Sequence, residues 1–109
     1  AKLDANEHIL SIANAFHPTP AISGIPSNKA QDIIRSMEPF NRGWYGGPFG
    51  WFDHDGNGEF AVSIRSAVAH KNEVILYAGA GIVSNSNPQE EWDEIQLKFQ
   101  PILNSLTLS

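Results

Sequence analysis

A chain of 109 residues with 41% hydrophobic and 17% charged residues is ordinary globular material and holds one domain at most. Its formal net charge of −5, with no cluster of lysine or arginine, argues against the nucleic-acid backbone and against an anionic membrane as partners. The absence of cysteine excludes a disulfide framework, a thiolate metal site and a cysteine nucleophile, and fits a reducing, cytoplasmic setting.

No run is apolar enough to cross a bilayer, and nothing has the form of a signal peptide. The chain opens at Ala1 without methionine, which suggests mature processing or a piece of something longer.

Asp4 followed by Glu7 reads as a capping box, and Ile9, Leu10, Ala13 and Phe16 recur at helical spacing, so a first helix is predicted from about Ala5 to Phe16. Pro18 stops it. After the proline-rich connection HPTPAISGIP, Ser27 is a plausible N-cap for a second helix with Ala30, Ile33, Ile34 and Met37 on one face, ending before Pro39.

From Trp44 the pattern turns aromatic and β-branched, with glycines. WYGGPFGWF, GEFAVSIRSAVAH and EVILYAGAGIV read as three consecutive antiparallel strands, joined through DHDGNG and KN. Asn87, Pro88 and Glu90 then supply an N-cap, an N1 proline and an N3 carboxylate for a last helix with Trp92, Ile95, Phe99, Ile102, Leu103 and Leu106 as apolar positions. Pro101 is a kink point in it. The order helix, helix, strand, strand, strand, helix predicts an α+β fold with helices over one face of an antiparallel sheet.

In DHDGNGEF, Asp53, Asp55, Asn57 and Gly58 imitate a calcium loop, yet Ile64 stands where the bidentate glutamate is required. A hairpin loop is the better reading. GAGIVSNS follows a predicted strand but lacks the Lys-Ser/Thr of a phosphate loop, and a strand glycine can instead admit a ligand close to the backbone.

His17, at the end of the first helix, reads foremost as a structural cap, while His8, His54 and His70 show no ligand spacing. Arg65 lies in the middle of a strand that reads as buried, where it needs an anionic partner, either an internal carboxylate or a substrate's.

In EEWDEIQLK, at about 100° per residue, Glu91, Glu94 and Lys98 fall within a sector of roughly 60° bordering the apolar stripe. A wet Glu94–Lys98 pair is the ordinary account of such spacing. The functional one is a hard-cation site of carboxylate oxygens with a lysine beside it for an anion, and two carboxylates need completion from elsewhere.

Taken together and in this order, HPTPAISGIP, MEPFNRGWYGGPFGWFD, GEFAVSIRSA, LYAGAGIV and EEWDEIQLK resemble the C-terminal part of the chorismate-utilising enzymes over nearly the whole chain, 1–109. Within them HPTPA is similar to the isochorismate synthase branch, since the anthranilate type carries His-Pro-Ala-Gly-Thr here and the salicylate type tends to threonine at Ala21.

The resemblance implies the chorismate-binding fold, chorismate as substrate and a Mg²⁺ ion between its ring carboxylate and glutamates. The isomerisation it implies adds a lysine-activated water at C2 while a glutamic acid protonates the departing C4 hydroxyl, in menaquinone or siderophore biosynthesis.

By the same resemblance Glu94 is a metal ligand, and Glu91 is the acid beside it, acting through water. Lys98 faces the ring carboxylate, Arg65 and Tyr45 face the enolpyruvyl carboxylate, the backbone of Gly79 meets the substrate, and Ala21 and Ile22 form the pocket wall. His17 matches a motif histidine and is a candidate for a catalytic role that neither the residues nor the resemblance specifies.

The lysine base, the glutamic acid and the first metal glutamate match nothing in this chain. The implied partner is therefore an upstream segment of the same enzyme, and the chain by itself is expected to be inactive, with open strand edges and exposed apolar surface. A salicylate or anthranilate-type enzyme, or a non-catalytic carboxylate-binding module, are the alternatives.

Overall fold

The computed structural model describes residues 7–107. It is α+β, and its contacts divide the chain into two units that meet in sequence between Ser63 and Ile64.

The first unit opens with α1, Ile9–Phe16. Its N-cap is His8, whose Nδ1 accepts the backbone N–H of Leu10 at 3.1 Å. The helix thus starts later than the capping-box spacing predicts, and Asp4 lies outside the described residues. At the other end His17 is extended (φ −113°, ψ 143°), as a residue before proline is pushed to be.

The connection that follows is not plain loop. It holds a one-turn helix, α2, Pro20–Ser23, with proline at its start and Gly24 at its end. Gly24 adopts φ +76°, and a Cβ there would stand 2.6 Å from the Cβ of Ala30, so only glycine lets α2 and the next helix approach this closely.

That helix, α3, covers Ser27–Met37. Ser27 is its first helical residue and Pro26 holds the N-cap position, which corrects the predicted Ser27 cap. Ala30 and Ile34 are half-buried while Ile33 and Met37 are exposed. A single turn of α2 is too small to cover the full predicted stripe.

Trp44 to Gly47, predicted as strand, form a turn in which the Tyr45 N–H donates to the Arg42 carbonyl at 2.9 Å. Strand β1 begins only at Pro48 and runs to Phe52, pairing antiparallel with β2, Gly58–Val62. The edge of His8 meets the Phe52 ring with centroids 5.2 Å apart, tying the start of α1 to this hairpin.

In the second unit β3, Ser66–His70, pairs antiparallel with β4, Glu73–Tyr77, through a tight turn in which Lys71 takes φ +54°. The single second strand of the sequence reading is therefore two strands in two separate two-stranded sheets. The third ends at Tyr77, and residues 78–83 are irregular.

Helix α4, Pro88–Thr107, packs against β4. Asn87 caps it, its Oδ1 accepting the N–H of Gln89 at 2.9 Å and of Glu90 at 3.3 Å, as the sequence predicts. The helix continues through Pro101.

Candidate functional site

The predicted site residues fall into two sets, one in each unit. In the second unit the centre is Lys98. Its ammonium donates to the backbone carbonyl of Gly79 at 2.8 Å and pairs with Glu94 Oε1 at 2.5 Å. The Lys98 side chain is 20% exposed and that of Glu94 53%, so the cation is recessed while its carboxylate partner reaches solvent. This is not the wet helical pair that spacing alone makes ordinary: the lysine is anchored through tertiary structure, to a carbonyl nineteen residues away.

The contact is possible because β4 ends at Tyr77, so that the Gly79 carbonyl lies beyond the β3–β4 ladder and can meet a side chain from α4. Gly79 is consequently not a strand glycine, and its carbonyl is engaged. Glu91 lies one turn before Glu94 on the same face, half-buried.

Two carboxylates on one helix face are the right chemistry for a hard cation and too few to enclose one. Among the described residues no cluster of three or more histidine, cysteine, aspartate or glutamate side chains is suited to hold a metal.

Arg65 departs most from expectation. It is exposed, at φ +47°, between β2 and β3, and it makes no hydrogen bond or ion pair among the described residues. The alternation of FAVSIRSAV places it mid-strand because nothing in that run, neither glycine nor proline, marks the break. Its neighbour Ser63 exchanges backbone hydrogen bonds with the turn instead, donating to Gly47 O at 2.8 Å and accepting from Gly46 N at 2.7 Å.

In the first unit Ile22 and Tyr45 line one cavity of about 1010 Å³ together with His17, Ile34, Glu38 and Arg42. Ala21, exposed on α2, does not line it. The His17 ring caps α1 through Nδ1, 2.7 Å from the Ala13 carbonyl. A carbonyl only accepts, so Nδ1 carries the proton, and Nε2 is buried without a partner among the described residues. The cap reading of His17 holds.

The residues that sequence reasoning missed are Glu38 and Arg42. Arg42 Nε donates to Glu38 Oε2 at 2.7 Å and its Nη2 to Oε1 at 2.5 Å, a two-pronged pair with both side chains 27% exposed. The hydrogen bond that Arg42 donates to Glu38, ahead of the opposing effect of burial, raises the pKa of the guanidinium further. The i, i+4 spacing was a signal, hidden because α3 ends at Met37 and neither residue lies within a helix.

The asparagine and aspartate run that imitates a calcium loop is a hairpin loop. Asp53 Oδ1 accepts the N–H groups of Asp55 and Asn57 at 3.0 and 2.9 Å, and Oδ2 accepts Asn57 Nδ2 at 3.0 Å.

The chain is similar to known proteins over nearly its whole length. A profile of the family "Chorismate binding enzyme" matches residues 1–107. The isochorismate synthase MenF of Bacillus subtilis is 45% identical over 105 residues, covering 96% of this chain and 22% of that protein. The isochorismate synthase EntC of Escherichia coli K12 is 47% identical over 103 residues, covering 94% of this chain and 26% of its own.

A crystal structure described as a 2,3-dihydroxybenzoate-specific isochorismate synthase, DhbC from Bacillus anthracis, matches with a TM-score of 0.92 at 43% identity, over 97% of this chain and 28% of that one. The chain thus spans about a quarter of the length of the curated relatives it matches. With a family profile running from residue 1 to residue 107, the chain belongs to the chorismate binding enzyme family.

Proposed function

We propose that this chain is one segment of a cytoplasmic, Mg²⁺-dependent isochorismate synthase that serves menaquinone or siderophore biosynthesis. In the proposed reaction water gives up a proton and forms a bond to C2 of chorismate, the two conjugated ring double bonds each move by one position, and the C4–O bond breaks as the departing hydroxyl takes a proton. The lysine base and glutamic acid for those two proton movements are assigned to parts of the enzyme outside this chain, as the quarter-length coverage of the relatives supports.

The observation that carries the reading is the recessed Lys98 ammonium held between the Gly79 carbonyl and Glu94. An ammonium has three donors and two are engaged, which leaves one for a carboxylate oxygen of the substrate ring. Its burial keeps that attraction from being screened.

Glu94 directly, and Glu91 through water, would hold Mg²⁺, with substrate, water and a further carboxylate completing the octahedron. When bound, the ion supplies positive charge that anchors and neutralises the substrate carboxylate. Ala21, Ile22, Tyr45 and Arg65 are proposed as further substrate contacts.

The test uses the full-length protein. Lys98→Met is expected to raise the KM for chorismate about tenfold or more, as loss of a charged hydrogen bond does. Glu94→Gln is expected to raise the Mg²⁺ concentration needed for half-activation by at least about tenfold. Unchanged KM in the first and unchanged Mg²⁺ dependence in the second would sink the assignment.

A further inference from the structure

Arg42 spends its guanidinium on three acceptors at once. Besides the fork on Glu38, Nη1 donates to the backbone carbonyl of Ile22 at 3.1 Å, and the guanidinium carbon lies 5.6 Å from the centroid of the Tyr45 ring. One side chain therefore joins the residue after α3, the middle of α2, and the aromatic residue three positions on. The Tyr45 N–H closes the same turn by donating to the Arg42 carbonyl.

Gly46 reaches Ile22 from the other side. It is buried at φ +81°, and a Cβ on it would sit 2.4 Å from Ile22 Cγ2. Ile22 is thus fixed twice, its carbonyl by Arg42 and its side chain by the bare face of Gly46. Both Ile22 and Tyr45 line the cavity.

We infer that Arg42, with Gly46, is a positioning residue that sets the cavity wall at Ile22 and the placement of Tyr45, and so controls how tightly substrate is held. The effect on substrate rests on the chorismate reading above, while the positioning of Ile22 and Tyr45 does not. A lysine at 42 cannot reproduce it, because a single ammonium lacks the planar fork that meets both carboxylate oxygens while a further N–H reaches the carbonyl. A bridge that merely stabilises the first unit would reduce the amount of folded protein without touching affinity.

The experiment compares Arg42→Gln, Arg42→Lys and Gly46→Ala in the full-length protein, with the exposed Lys29→Gln as control. Chorismate kinetics and the Ile22 methyl resonance in the absence of chorismate are both read. We expect Arg42→Gln and Arg42→Lys alike to raise KM about tenfold with kcat held within about threefold. The Ile22 methyl should shift in both and in Gly46→Ala, and stay in place in Lys29→Gln.

In an Ile22→Ala background, Arg42→Gln should raise KM by less than it does in the wild type, since part of the wall it positions is already gone while Tyr45 remains. Loss of activity that tracks folded protein, with KM and the methyl unmoved, would overturn the inference, as would full KM rescue by Arg42→Lys. If Arg42→Gln does not fold, Arg42→Lys and Gly46→Ala decide. If the wild type does not act on chorismate, the functional reading falls, while the methyl shift still decides the positioning.

Discussion

Asp53 shows how an apparent cation ligand becomes a loop anchor. Three hydrogen bonds from Asp55 and Asn57 converge on its carboxylate, and the Asn57 side chain, first among several donors, lowers its pKa. A carboxylate whose folded pKa is depressed contributes stability above its unfolded value and loses it as pH falls through the folded one. The Asn57 amide resonance is therefore expected to titrate with a midpoint below the ordinary 3.8 of aspartate, and to collapse toward its random-coil position beneath that midpoint. A midpoint at or above 3.8 would contradict the network.

At this scale the pairing of Glu94 with Lys98 was legible from helical spacing. The Gly79 carbonyl that anchors Lys98 was not, because no local pattern encodes a contact across nineteen residues. Arg65 was misplaced for the converse reason, since alternation cannot register a single positive φ in a residue with no preference for it.

Elements were read well where chemistry is local and poorly where backbone geometry decides. Asn87, Pro88 and Glu90 announce α4 because each satisfies a specific need of a helix start, and the structure uses them so. Replacing Asn87 by Ala leaves two N–H groups without their side-chain acceptor, and should cost about 1 kcal/mol. Hydrogen exchange in the first turn of α4 is the measurement: acceleration of the Gln89 and Glu90 amides is expected, and unchanged protection would refute the cap's contribution.

The one-turn α2 could not be read, being shorter than any periodic signal and enclosed by prolines that favour extended chain. Nor could the start of β1, where WYGG has strand composition but Gly46 at φ +81° turns the chain.

Across the molecule, apolar surface outruns what the chain can cover. Among the described hydrophobic residues only Ala13 is buried, whereas Trp44, Phe49, Ile82, Trp92 and Leu97 are all more than half exposed. Each large apolar side chain would contribute roughly 1.5–3 kcal/mol if buried. The open edges of two separate two-stranded sheets add unpaired backbone groups. The sequence reading anticipated such surface because its site was incomplete.

Chorismate and Mg²⁺ should be incubated with the 109-residue chain, with the full-length protein and with its Glu94→Gln form, and the products separated by chromatography. The account predicts no isochorismate from the chain by itself, isochorismate from the full-length protein, and a loss of about a hundredfold in Glu94→Gln at low Mg²⁺. Isochorismate formed by the 109-residue chain by itself, or undiminished activity in Glu94→Gln, would contradict it.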